Sequence, residues 1–272
     1  MLHQIEFLLE GYLLPVTVGE FRVSENLVLE AVWPKSNEPK TNYAIAYVAV
    51  EEEGYYFKTA IDYVEFFVLN YSLVSGQPVT FKMGAGTLIE DLDSLGKKRV
   101  SFANFEKLYV EGNAIEDVLS KPFFDAIKTF LELFSERQKI MDGSLGIALA
   151  YYYFAVLASQ RRLEEVVINL MIAGEALLIT ESDTICGPLS RRLATLIAKN
   201  EAERKLISKK MLKLYSVRSG IVHGRGKKPT VDETSQLLCY VKEAIDAALS
   251  KRTLSKEELV KKLDCDWYAS GL

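Results

Sequence analysis

The pattern of apolar and polar positions changes character partway along the chain. Up to about residue 112 it is dominated by short runs rich in β-branched and aromatic residues, Leu27–Trp33, Tyr43–Val50 and the shorter Val79–Lys82. Pro34, Asn37 and Pro39 mark a loop between the first two. One stretch breaks the rule. Ile61, Val64, Val68 and Tyr71 recur at helical spacing over residues 57–73. A strand-rich first domain is therefore expected over residues 1–112, with one helix packed on its sheet. The aromatics Tyr55, Tyr56, Phe57, Phe66 and Phe67 are expected to form its core rather than a surface that stacks bases.

From about residue 115 the period becomes helical. The pattern predicts helices over 116–139, 144–159, 161–181, 189–199, 202–223, 231–250 and 255–263. The breaks are Asp142-Gly143, Cys186-Gly187-Pro188 and Gly224–Pro229. Thr230 followed three residues later by Glu233 is a capping box, and Leu237, Leu238, Val241, Ile245 and Leu249 then line one face. The stretch from Gly143 to Gln160 carries no charge, but Tyr151, Tyr152 and Tyr153 stand at its middle. Tyrosine favours the ends of a membrane span, so a buried core helix is expected and no membrane association. The expected fold class is α+β: a strand-rich N-terminal domain, then an all-α helical domain over residues 113–272. No Pro/Gly/Ser linker separates them, and Gly112 is taken as the boundary.

Two charges interrupt the helical pattern. In 202–223 the apolar seam runs Ile207, Met211, Leu214, position 218 and Ile221, and position 218 is Arg. In 161–181 the stripe Ile168, Ile172 and Ile179 carries Glu175. A charge among apolar residues needs a partner or water. Glu175 and Arg218 either satisfy each other, a purely structural role, or belong to a site. Arg191 or Arg192 would serve Glu175 equally well. His223, one of only two histidines, follows Arg218 by five residues and precedes Gly224, a residue suited to ending a helix. Its place in the last turn favours an imidazolium. Five residues rotate a helix by about 500°, so Arg218 and His223 do not share one line.

Charge sharpens this picture. The formal net charge is −4, so the whole-molecule field does not gather polyanions. Residues 191–228 are nevertheless strongly basic, with only Glu201 and Glu203 opposing twelve Lys and Arg side chains. Such a run is either a solvated helix face or a surface that meets phosphates. Three scattered cysteines, Cys186, Cys239 and Cys265, form no CxxC and suit a reducing cytoplasm. No cluster of Asp, Glu and His has metal-ligand spacing, and neither a metal nor a cofactor is expected. Glu6 and Glu10 interrupt any signal-peptide pattern.

The segment from Tyr215 through Arg218, Ser219 and His223 to Gly224 resembles the R-x4-6-H signature of the HEPN superfamily, with Ser219 where many members carry another polar residue. Upstream, Glu175–Ile179 and Ser190–Ala194 resemble earlier helices of its Apea-like branch. The resemblance spans roughly residues 145–250 and leaves the N-terminal part without a counterpart. It implies a helical bundle that dimerises through the motif-bearing helices. It also implies a metal-independent endoribonuclease of a toxin, defence or RNA-processing kind. Arg218, His223 and Ser219 would be catalytic, with Glu175 and Tyr215 in support. Arg225, Lys227 and Lys228 would hold flanking phosphates. Some members of the superfamily have lost activity and only bind RNA, nucleotides or protein partners, and these classes stay open.

Overall fold

The computed structural model describes the backbone of residues 2–11, 19–24, 27–32, 42–51, 56–76, 79–89, 121–159, 162–181, 183–224 and 228–271. Side chains are described for 59–76, 79, 81, 125 and 128–271, apart from the gaps in the backbone. Two compact units divide between Arg137 and Gln138. The boundary expected at Gly112 lies outside the described residues.

In the first unit five β segments pair through their backbones: β1 (Leu2–Gly11), β2 (Gly19–Ser24), β3 (Leu27–Val32), β4 (Asn42–Glu51) and β5 (Val79–Ile89). Their order is β2-β3-β4-β1-β5, and each neighbouring pair is antiparallel. Phe7 of β1 stands opposite Ala46 on one side and Met83 on the other. The described packing, however, comes from helices. In α1 (Tyr56–Ser75) every residue from Phe66 to Leu73 is buried. A helix apolar all round is enclosed on all sides. Against it packs α2 (Lys121–Leu133), which continues through a 3-10 turn at Phe134–Glu136. Phe130 meets Phe66 and Phe67 with ring centroids 5.7 and 5.6 Å apart. Arg137 caps this cluster, its guanidinium 4.4 Å from the Tyr63 ring centre and 4.3 Å from that of Phe134. It also donates to the Tyr63 hydroxyl at 2.9 Å.

These findings correct the expected fold class. Of the residues whose side-chain burial is defined, 82% are helical, and β5 contributes only Val79 and Phe81 to that set. A strand-rich N-terminal domain with a single helix laid on it is not what the described packing shows. The physical reason is volume. Period-two runs set backbone pairing, but the aromatic mass that fills this core sits on α1 and α2. Phe66 and Phe67 are buried there, as expected of core aromatics.

The second unit is a helical bundle: α3 (Arg137–Met141, begun by the last residue of the first unit), α4 (Ser144–Ala158), α5 (Leu163–Leu178), α6 (Cys186–Ile197), α7 (Glu201–Val222), α8 (Val231–Ser250) and α9 (Lys256–Ala269). Polar residues fix the helix starts. Asn200 accepts from the Glu203 amide at 2.9 Å and begins α7. Thr230 with Glu233 and Ser255 with Glu258 are full capping boxes at α8 and α9. Burial of Leu149, Tyr152, Leu170, Leu177, Leu237, Val241 and Ile245 defines the core between α4, α5 and α8. Among the described residues no single helix is long and apolar enough to cross a membrane.

Two ties hold the bundle. Gly146 of α4 lies so close to the end of α3 that a Cβ there would stand 2.3 Å from the Met141 carbonyl oxygen. Arg192 of α6 is 5% exposed, yet all five of its N–H donors are used. Its Nε and Nη2 donate to Asp264 of α9 at 2.9 and 2.8 Å. Its Nη1 and Nη2 both reach Asp183, and Nη1 also donates to the Leu178 carbonyl at 2.7 Å. Neither Arg191 nor Arg192 pairs with Glu175. The hydrogen bond from Arg192, helped by two from Thr180, holds the Asp183 carboxyl well below the usual carboxylate range against the opposing effect of burial.

Candidate functional site

The C-terminal half of α7 carries the candidate residues. Ile207, Met211 and Leu214 are buried along the predicted seam, and Arg218 continues it half-buried, its side chain 23% exposed. Opposite stands Glu175 on α5, 20% exposed, with Oε1 3.8 Å from Arg218 Nη2. That is an ion pair too long for a hydrogen bond. Glu175 Oε1 and Arg218 Nε are both buried without hydrogen-bond partners. Burial raises the Glu175 carboxyl above its ordinary range, and the Arg218 charge draws it partly back. Tyr215, one turn before Arg218, lies beneath the guanidinium with its ring centre 5.6 Å away. Burial pushes its hydroxyl up, offset in part by Arg218.

The sequence placed Glu175 on an apolar stripe with Ile168, Ile172 and Ile179. All of these residues are only half-buried. The core face of α5 is instead Val166, Val167, Leu170, Met171, Ala173, Gly174, Leu177 and Leu178. A helix apolar on most sides does not announce which face turns inward. Glu175 thus lies at the rim of the core, where water reaches it.

His223 is the C-cap of α7, its amide donating to the Ser219 carbonyl at 3.1 Å. Gly224 follows with φ +62°, a left-handed position that glycine takes without strain. The imidazole is exposed and makes no hydrogen bond or ion pair with the described residues. Ser219 is half-buried one turn earlier. Arg218 and His223 therefore occupy different surroundings, one inward against Glu175, the other outward at the helix end. Lys228 is exposed, with Nζ 3.8 Å from Glu164 of α5. Arg225 and Lys227 lie outside the described residues. Among the described residues no group of three His, Cys, Asp or Glu side chains is placed to hold a metal ion.

Arg192 spends every donor on fixed partners, whereas Arg218 makes no hydrogen bond with the described residues and only the long ion pair to Glu175. The rule that flagged Arg218 also marks position 192, three residues after Leu189 on an amphipathic helix, as a charge that needs partners, but not which partners.

A double-mutant cycle of Glu175→Gln and Arg218→Gln checks this reading through urea denaturation of the four proteins. The expected coupling is about 1 kcal/mol or less, as for a partly solvated pair without a hydrogen bond. A coupling of about 3 kcal/mol or more would make the pair a structural element and take Arg218 out of the site.

No protein-family model, no curated protein and no solved structure matches this chain.

Proposed function

We propose that the helical unit is a metal-independent endoribonuclease module of the HEPN type, working as a homodimer. The observation that carries this is Arg218: a half-buried guanidinium with unspent donors, on the same helix as an exposed histidine. A phosphoryl group is the ligand such a fork fits best.

In the proposed reaction the RNA 2′-oxygen attacks the adjacent phosphorus and the bond to the 5′-oxygen breaks. The products are a 2′,3′-cyclic phosphate and a free 5′-hydroxyl. One His223 takes the 2′-hydroxyl proton, and a second His223, from another copy of the chain, gives a proton to the departing oxygen. Each transfer is worth roughly 10²–10⁴-fold. Arg218 neutralises the charge that grows on the phosphoryl oxygens, and Ser219 positions the phosphate. A second copy would supply the second histidine that an acid and a base together require. Arg218 and His223 diverge by about 140° around α7, and each chain supplies one histidine at this place.

The test is cleavage of a mixed pool of single-stranded and structured RNA in EDTA, by wild type and by His223→Ala. Only wild type is expected to yield products ending in 2′,3′-cyclic phosphate. Equal cutting by both proteins removes His223 from the chemistry. If neither cuts while RNA still binds, the second reading stands: a non-cleaving RNA-binding module. In that reading Arg218 and Glu175, 3.8 Å apart, serve the bundle's core rather than the chemistry.

A further inference from the structure

The basic run over 191–228 is sorted by the fold. Arg192 is buried on carboxylates, Arg204 donates to the Asp266 carbonyl at 3.1 Å, and Arg191 lies over the Tyr268 ring at 5.9 Å. The arginines thus turn to the protein, whereas Lys205, Lys209 and Lys213 of α7 are exposed. They recur every four residues, so they fall within an arc of about 80° and climb the helix by about 6 Å per step. Leu206 and Leu212 share this face, 52% and 44% exposed. Ser216 continues it, and His223 ends it about 15 Å beyond Lys213.

Two of these lysines have carboxylates nearby. Lys205 meets Glu201 at 3.0 Å and Lys213 approaches Glu233 at 3.8 Å, but both lysine side chains are more than half exposed. Such surface pairs are worth little and open readily to a competing anion. Lys209 has no ion-pair partner among the described residues.

We propose that this outer face of α7 is a track for the phosphates of single-stranded RNA, leading the strand to His223. The inference rests on the ribonuclease reading for its direction, but not for its existence. Lysines at a regular rise of one helical turn match a chain of regularly spaced phosphates. The exposed leucines between them suit unpaired bases, whose apolar faces are covered in a duplex. A net charge of −4 for the whole chain makes this local row, rather than a general basicity, the source of attraction.

The test is binding of a 12-residue oligouridylate by the full-length protein across 50–200 mM salt. Three variants are compared with wild type: Lys205→Gln/Lys209→Gln/Lys213→Gln, His223→Ala, and Lys139→Gln/Lys261→Gln/Lys262→Gln as an equal charge change at exposed lysines elsewhere. Each phosphate contact on a single strand adds about 0.7 to the salt slope, so losing three lowers it by about 2, roughly a 20-fold smaller loss of affinity over that range. The control triple is expected to bind as wild type, and His223→Ala separates binding of the probe from its cleavage. An unchanged slope in the track variant overturns the proposal, as does an equal drop in the control. Equally tight, equally lysine-dependent binding of a 12-base-pair RNA duplex overturns the single-strand assignment. Tighter lysine-dependent binding of a polyglutamate peptide makes the face a protein-docking surface instead. Track-dependent binding without cleavage by wild type removes the ribonuclease reading and leaves the track standing.

Discussion

Arg192→Met lowers the stability of the helical unit by about 3–5 kcal/mol, the range for stripping one partner from a buried ion pair. Methionine keeps the unbranched stem, so packing changes little and the loss is electrostatic. Two carboxylates then face each other with no cation, and the Leu178 carbonyl loses its donor. The effect depends on pH in a definite direction. Asp183 has a native pKa below the unfolded value of about 3.9, so its contribution is complete above about pH 5 and fades as the pH falls. Wild type should therefore weaken steeply in acid. Arg192→Met should weaken less, and the difference between the two proteins should begin to narrow as the pH drops below about 4. Urea midpoints from pH 7 to pH 3 check this. A constant difference across that range would show that the loss is one of packing. Should Arg192→Met not fold, Asp264→Asn removes one charged partner and leaves the other, at an expected cost of about 1.5–3 kcal/mol.

The second large effect is at Gly146. Replacing an exposed helical glycine with alanine normally gains up to about 1 kcal/mol. Here the new methyl would lie 2.3 Å from the Met141 oxygen and 2.6 Å from its Cα. Both are backbone atoms, which no rotamer change can move aside. Gly146→Ala is expected to cost about 3 kcal/mol or more, the upper end for overfilled sites. Gly174 on α5 is the control. Its Cβ would meet only the Leu189 Cδ1, at 3.4 Å, and Gly174→Ala is expected to be neutral or stabilising by up to about 1 kcal/mol. Opposite signs for the two substitutions, measured by chemical denaturation, establish the close approach. Equal effects would mean that α4 can slide away from α3.

What the sequence made legible follows the strength of local signals. Glu233 three residues after Thr230, and Gly224 after His223, each place a polar or conformational requirement at a helix end. The structure puts the α8 start and the α7 end there. The last helix, expected over 255–263, is α9, which starts from a box at Ser255 and Glu258 and runs on to Ala269. The seam Ile207, Met211, Leu214 is buried because it is flanked by charged positions on α7, so its period stands out. The period failed where a helix is apolar nearly all round: α5 hid which side Glu175 occupies, and α1 hid that it is the centre of its core. The Arg192 ties join residues 72 positions apart, and no local pattern encodes such a pairing. The N-terminal fold class was misjudged for a related reason. Residue propensity reports which backbone a segment favours, not how much core volume it supplies.

The span of the Arg192–Asp264 tie bears on the rates of folding and not only on its equilibrium. Helical hairpins such as α4–α5 close over short loops, and their contacts can form early. A link across 72 residues to an arginine that must itself be buried belongs to the last stage of assembly. Interactions absent from the transition state govern the unfolding rate. The clasp on α9 would then act as a latch, leaving the time to fold almost unchanged while lengthening the time the folded bundle persists.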